Sequence, residues 1–125
     1  MQIFSIASQR AQWLSARLGV ISGNVANAST PGFHARKIAP FSAVLEHRQT
    51  RMARTDPAHF NMAGQTGPAR FEVGEEELRM SSHSGNTVDI EKEMLAGAET
   101  VRQFRLTTGV VRAWQRMYLM SLKDN

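Results

Sequence analysis

The sequence predicts a mainly α fold. A long N-terminal helix and a long C-terminal helix, each suited to coiled-coil packing, are joined by an irregular middle with a short helix and a short strand. Three observations predict it. Apolar residues alternate spacings of three and four at both ends of the 125-residue chain. Prolines and glycines collect between those ends. The last helix carries two apolar stripes, more than one partner helix covers. The expected organisation is a single unit, residues 1–125, with an N-terminal helix over 1–28, an elbow and irregular middle over 29–86, and a C-terminal helix over 87–122.

In the first helix Phe4, Ala7, Ala11, Leu14, Leu18, Ile21, Val25 and Ala28 form a heptad seam. Its central members, Leu14, Leu18, Ile21 and Val25, are the expected packing residues. A helix over this stretch is roughly 40 Å long. It ends where Asn27 can cap and Pro31 forbids continuation. Gly19 and Gly23, within "GVISG", weaken it and leave room for another backbone.

The irregular middle comes next. Pro40, Pro57 and Pro68 punctuate it, with Gly64, Gly67, Gly74 and Gly85. "PFSAVLEHRQTRMA" predicts a short helix starting at Pro40, with Phe41, Val44, Leu45 and Met52 on one face. "ARFEV", residues 69–73, predicts a short strand. "NMAGQTGPA" and "SSHSGN" are expected loops.

For the last helix the seam runs through Ile90, Met94, Gly97, Val101, Phe104, Thr108, Val111, Gln115, Tyr118 and Leu122. Asn86 or Thr87 is the expected cap. Asp89, Glu91 and Glu93 at the start, and Arg112, Arg116 and Lys123 near the end, suit the helix dipole. The helix is roughly 50 Å long. Its second stripe, Leu95, Ala98, Leu106, Val110, Ala113, Met117 and Met120, asks for additional neighbours, which points to packing between subunits.

Composition excludes more chemistry than it suggests. With no cysteine, thiolate catalysis, Cys-ligated zinc and disulfides are excluded. His34, His47, His59 and His83 lack metal-ligand spacing. The three adjacent acids of "GEEEL" point in different directions on any element, so they do not form a catalytic pair. "GQTGPAR" lacks the lysine of a phosphate loop. No apolar run long enough to span a bilayer and no secretory signal is expected. No cofactor, metal or catalytic residue is predicted. The net charge of +4 and the arginines of the last helix leave one other class open, a basic helical nucleic-acid-binding protein.

The most distinctive stretch, "NVANASTPGFHARK", does no evident chemistry. It is built to stop a helix and reverse the chain. Thr30-Pro31-Gly32-Phe33 fits a type II turn, with Pro at the second position and Gly where φ is positive. Asn24 and Asn27 lie on one helix face, and their amides can both donate and accept. Phe33 adds an apolar anchor. These six residues, Asn24, Asn27, Thr30, Pro31, Gly32 and Phe33, are the candidate elbow and subunit-interface motif.

Here the residues carry a resemblance. Asn24, Asn27, Thr30, Gly32 and Phe33 match the Asn-x-x-Asn-x-x-Thr-x-Gly-aromatic signature of the bacterial flagellar axial family, its rod, hook and hook-associated proteins. "RLGVISGNVANASTPGFHARKI", "TDPAHF" and "GNTVDIEKEML" are, in that order, similar to the proximal rod members of the family. The resemblance implies a non-enzymatic structural subunit of the proximal rod of the flagellar basal body, part of the motility drive shaft. Another rod subunit, of the FlgC kind, is the alternative within the family. The implied partners are other copies of the chain, FlgC and other rod subunits, the adaptor FliE and the export-gate proteins. No nucleic acid or small-molecule substrate is implied. The implied location is the rod in the periplasmic space, reached from the cytoplasm through the flagellar type III system without a cleaved signal. The chain is expected to be oligomeric in the rod, and monomeric and partly disordered alone.

Overall fold

The structure is a computed structural model, and it describes residues 2–49, 71–76 and 85–123. In chain order the elements are α1 (Gln2–Ala26), β1 (Arg36–Ile38), α2 (Phe41–Gln49), β2 (Val73–Glu75) and α3 (Ile90–Lys123). The two long helices and the short strand pair are the frame. "TDPAHF", Met52, the loop at 61–69 and most of "SSHSGN" lie outside the described residues.

Helices α1 and α3 form the most extensive contact. They run antiparallel. Ile21 lies against Gly97 near the elbow, while Arg10 Nη2 donates to Gln103 Oε1 at 3.0 Å further along. A Cβ on Gly97 would stand 3.6 Å from Ile21 Cγ2, ordinary van der Waals contact, so an alanine would fit between the helices here.

β1 and β2 form a two-stranded antiparallel sheet, with Arg36 opposite Glu75, Lys37 opposite Gly74 and Ile38 opposite Val73. Backbone bonds extend the ladder at both ends. Ala39 N–H donates to Glu72 O at 2.9 Å, and Glu76 N–H to Ala35 O at 2.8 Å. The strand therefore sits at 73–75, displaced toward the C-terminus from the expected 69–73. A valine, a glycine and one acid pair there through their backbone groups, so the side chains give little signal. Its partner β1 is too short for an alternation signal.

A small core joins these elements. Trp13, Leu14 and Ile38 are buried together, and Ala16, Val20, Phe41, Val44 and Phe71 pack around them. Trp13 is its hub. Its indole N–H donates to Ala39 O at 2.8 Å, and its ring lies 5.9 Å from that of Phe41. The Arg10 guanidinium sits 4.9 Å from both ring centroids. That position is favourable for a cation over aromatic faces. Burial lowers the Arg10 pKa, and Arg17 nearby adds to the effect.

α3 begins at Ile90, later than the expected 87, because its cap is Asp89 rather than Asn86 or Thr87. Asp89 Oδ1 accepts from Lys92 N–H at 3.2 Å, and Asp89 O accepts from Glu93 N–H at 3.0 Å. A carboxylate is a better N-cap than either alternative when the dipole's positive end lies beside it. Asn86 and Thr87 are committed elsewhere.

Candidate functional site

The site is the elbow, assembled from two stretches far apart in sequence. α1 stops at Ala26 and gives way to a run of turns. Asn27 donates twice to Gly23 O, through its backbone N–H at 3.1 Å and its Nδ2 at 2.8 Å, which fastens the last turn of the helix. Thr30 N–H donates to Asn27 O at 2.9 Å, and Thr30 Oγ1 to Asn27 Oδ1 at 3.3 Å. Phe33 N–H then donates to Thr30 O at 3.2 Å, and Gly32 has φ of 73°. This is the hydrogen bond and the positive φ that a type II turn requires.

Asn24 fixes the segment beyond the turn. It is 1% exposed. Its Nδ2 donates to Arg36 O at 2.8 Å, and its Oδ1 accepts from Arg36 N–H at 2.9 Å. One amide thus ties the end of α1 to the first residue of β1. The asparagine amide offers a donor and an acceptor on separate atoms, as this closed pair of bonds requires.

The second stretch, Gly85-Asn86-Thr87-Val88-Asp89, closes over the first. Asn86 is buried, and its Nδ2 donates to Ala28 O, with Asn27 O and Thr30 O both at 3.5 Å. Its Oδ1 accepts from Val88 N–H at 2.8 Å. Thr87 Oγ1 accepts from Ala35 N–H at 2.8 Å, and Thr87 N–H donates to Phe33 O at 3.3 Å. Gly85 has φ of 75°, and a Cβ on it would meet Gly32 Cα at 3.8 Å. The open side of Gly85 therefore lies against the backbone of the first turn at Gly32. Asparagine and threonine here latch the elbow, and α3 takes its direction from it.

The predicted seam residues divide between inside and outside. Leu14 and Ile21 are buried in the chain, whereas Leu18 and Val25 are exposed. On α3, Val101 and Val111 are half-buried, and Ile90, Met94, Phe104, Tyr118 and Leu122 are exposed. The face that α3 turns toward α1 shares Gly97 with the predicted seam and otherwise lies beside it. It carries Glu93, Gly97, Thr100, Gln103 and Thr107, with Thr100 1% exposed and bonded to Ala96 O. Seam spacing found the helices, but hydrophobicity did not report which side meets the chain's own partner, because on α3 that side is made of small and polar residues.

Sequence reading missed Trp13 and the latch of Asn86 and Thr87. An indole one position from Leu14 was a signal for the first. For the second, "GNT" mimics the Asn-containing elbow, but nothing local says that the two meet. Among the described residues no group of three His, Cys, Asp or Glu is placed to hold a metal ion. Nor is any helix among them long and apolar enough to cross a membrane. A cleft of about 460 Å³ between α1, β1 and the start of α3 is lined by Trp13, Arg17, Arg36, Lys37, Glu76 and Glu93, among others. Lys92 Nζ donates to Glu76 Oε1 at its edge, 2.6 Å away.

The family described as flagella basal body rod protein matches residues 4–34, α1 and the turn together. The chain is 40% identical to the flagellar basal body rod protein FlgB of Agrobacterium fabrum (strain C58 / ATCC 33970), over 98% of its own length and 94% of the relative's. It is 39% identical to the protein of the same name from Aeromonas hydrophila, over 63% of its length and 61% of that relative's. Identity of 40% over nearly the whole chain makes it a member of the flagellar basal body rod protein FlgB family.

Proposed function

We propose that the protein is a structural, non-enzymatic subunit of the flagellar basal-body rod, and that it stands in the proximal rod. The carrying observation is that α3 is turned inside out with respect to its own chain. Its small and polar face meets α1, while Met94 (65% exposed), Leu95 (75% exposed), Leu106, Val110, Met117, Tyr118, Leu119, Met120 and Leu122 face outward. An apolar surface of this length is covered by other subunits in a stable assembly. The elbow, whose polar groups are spent on latching α1 to α3, sets the angle at which that surface is presented.

Neighbours in this reading are other copies of the chain, FlgC and further rod subunits, FliE and the export-gate proteins. The outward seams of α1 and α3, Leu18 and Val25 with Met94, Phe104, Tyr118 and Leu122, are the interface residues. The chain passes through the flagellar type III system from the cytoplasm and folds fully on assembly in the periplasmic rod. Glycines at 19, 23 and 109, beside which a Cβ would meet nothing within 4 Å, support close approach by neighbouring helices.

The test is an in-frame deletion strain examined by electron microscopy, with mass spectrometry of purified hook–basal bodies. Rings without a rod in the deletion, and the protein in wild-type basal bodies, are expected. Normal rods without the protein overturn the reading.

A further inference from the structure

Past its contact with α1, helix α3 continues alone. Tyr118 stands about five turns after Thr100 on the same line of the helix. Thr100 is 1% exposed, whereas Tyr118 is 59% exposed, so α1 no longer covers that line. From Trp114 to Lys123 every residue is exposed. The helices are antiparallel, so the first turns of α1, with exposed Ile3 and Ile6, lie toward the same end.

This tail is built for a boundary between apolar and polar media. Trp114, Met117, Tyr118, Leu119, Met120 and Leu122 are spread around it. At about 100° per residue, Arg112, Arg116 and Lys123 share an arc of roughly 40°, and the row of Trp114, Tyr118 and Leu122 lies across the helix from them. The tail is thus apolar on nearly every side except one narrow basic stripe. Arginine and lysine on such a stripe lay their stems along apolar surface and keep their charge in a polar layer. Tryptophan and tyrosine favour the level where the two media meet. Among the described residues no helix is long and apolar enough to cross a membrane, so the tail suits lying in an interface rather than spanning it.

Charge selects the kind of interface. Between Glu99 and Asp124 lie Arg102, Arg105, Arg112, Arg116 and Lys123, and no acid. α1 adds Arg10 and Arg17, again with no acid. Glu75, Glu76, Asp89, Glu91 and Glu93 gather instead at the elbow end, in β2, beside it and at the start of α3. An anionic surface therefore attracts the open end of the helix pair and repels the elbow. A nucleic acid would use the bases but leave the aromatic and aliphatic side chains across from them in water.

We propose that the free chain docks on an anionic lipid bilayer through the tail of α3, residues 112–123. Trp114, Tyr118 and Leu122 enter the headgroup–acyl boundary, and Arg112, Arg116 and Lys123 meet the phosphate headgroups. The inference stands apart from the rod reading. Where both hold, lipid and neighbouring subunits compete for one tail, so the bilayer holds the chain only before assembly. The rod reading is tested in cells and this one on purified protein, so either can fail alone.

The test is flotation of the purified full chain with vesicles of phosphatidylcholine, alone or with roughly one-third phosphatidylglycerol. Binding to the anionic vesicles is expected to exceed binding to the neutral ones by about tenfold or more, and to weaken in about 1 M salt. Arg116→Glu should lower it about tenfold or more, whereas Lys37→Glu, the same change at the elbow end, should leave it within about twofold. Tyr118→Ser with Leu122→Ser should abolish flotation while helical circular dichroism stays unchanged. Of the two tryptophans, Trp114 should shift its emission to the blue on binding, and Trp114→Phe should lose that shift. Absence of flotation, equal binding to neutral and anionic vesicles, or equal losses from Lys37→Glu and Arg116→Glu would each overturn the proposal. So would flotation of the double serine variant like wild type, or a blue shift that survives in Trp114→Phe. Tighter binding to duplex DNA than to anionic vesicles at physiological salt would also overturn it and assign the bases to nucleic acid.

Discussion

Asn24 and Arg36 are joined by a closed pair of hydrogen bonds, the amide donating to the Arg36 carbonyl at 2.8 Å and accepting from its N–H at 2.9 Å. α1 and β1 are thereby held in register by one side chain that solvent does not reach. Replacing Asn24 by Ala removes both partners and leaves two backbone groups unpaired. The expected loss is about 2–3 kcal/mol, within the range for unsatisfied buried groups. Asn24→Asp keeps the acceptor, loses the donor and buries a charge, so it should not rescue. Urea unfolding of the two variants checks this. A stability equal to wild type for Asn24→Ala would mean that water replaces the amide and that the elbow does not depend on it.

Gly32 makes a different kind of demand. Its φ is 73°, and a Cβ would meet nothing within 4 Å. The space is open, so the penalty for substitution is conformational rather than steric. Gly32→Val should disrupt assembly, since a β-branched residue is strongly disfavoured at positive φ. Gly32→Asn should be tolerated better, because asparagine enters the left-handed region more readily. Swimming of complemented deletion strains is the readout. Wild-type motility for Gly32→Val would remove the type II turn from the assembly mechanism.

Much of this elbow was legible locally. Proline followed by glycine fixes the turn type, and asparagine near a helix end announces a cap. The two terminal helices were legible from periodicity for the same reason, since each signal lies within a few residues of its consequence. The hidden features depend on distant parts of the chain. Asn86 and Thr87 look like caps of α3, yet their side chains reach Ala28 O and Ala35 N–H. Leu18 and Leu14 occupy the same seam, yet one is exposed and the other buried, because α3 presents only a narrow face to α1. The short strand was expected close to β2, but its partner β1 and the pairing escaped, because residues such as Gly74 and Glu75 contribute backbone and little else.

The latch can be separated from the cap by substitution. Thr87→Val preserves shape and removes the acceptor for Ala35 N–H, and Ala35 is itself 1% exposed. About 1–3 kcal/mol should be lost. Asp89→Ala removes only a cap bond, and about 1 kcal/mol is expected. If Thr87→Val proves no more costly than a surface change, Thr87 is an onlooker and α3 is oriented by Asn86 alone.

The Lys92–Glu76 pair ties α3 to the strand side but lies in solvent, with the lysine side chain 62% exposed. Lys92→Met should therefore cost less than about 1 kcal/mol, and less in high salt. The hydrogen bond with Glu76 chiefly raises the Lys92 pKa above 10.5. A raised folded pKa means the contribution is fully present below the unfolded value and disappears as pH climbs through the folded one. The stability difference between wild type and variant should thus be steady at neutral pH and shrink on the alkaline side of the lysine range. A difference that vanishes on acidification within pH 6–8 would assign the effect to another group.

Leu18 and Leu14 give the sharpest contrast between folding and assembly. Leu14 is 1% exposed, so Leu14→Ala should cost about 2–5 kcal/mol in the isolated chain through lost burial and a cavity. Leu18 faces outward on the same helix. Leu18→Asp should therefore change unfolding of the isolated chain by only about 1 kcal/mol or less. In a rod, the same carboxylate would have to enter an apolar contact without a partner, a strongly unfavourable step. The expected result is a folded protein absent from hook–basal bodies. Normal incorporation of Leu18→Asp would take Leu18 out of the interface, and the exposed half of the α1 seam with it. A variant that unfolds as severely as Leu14→Ala would show instead that Leu18 serves the monomer.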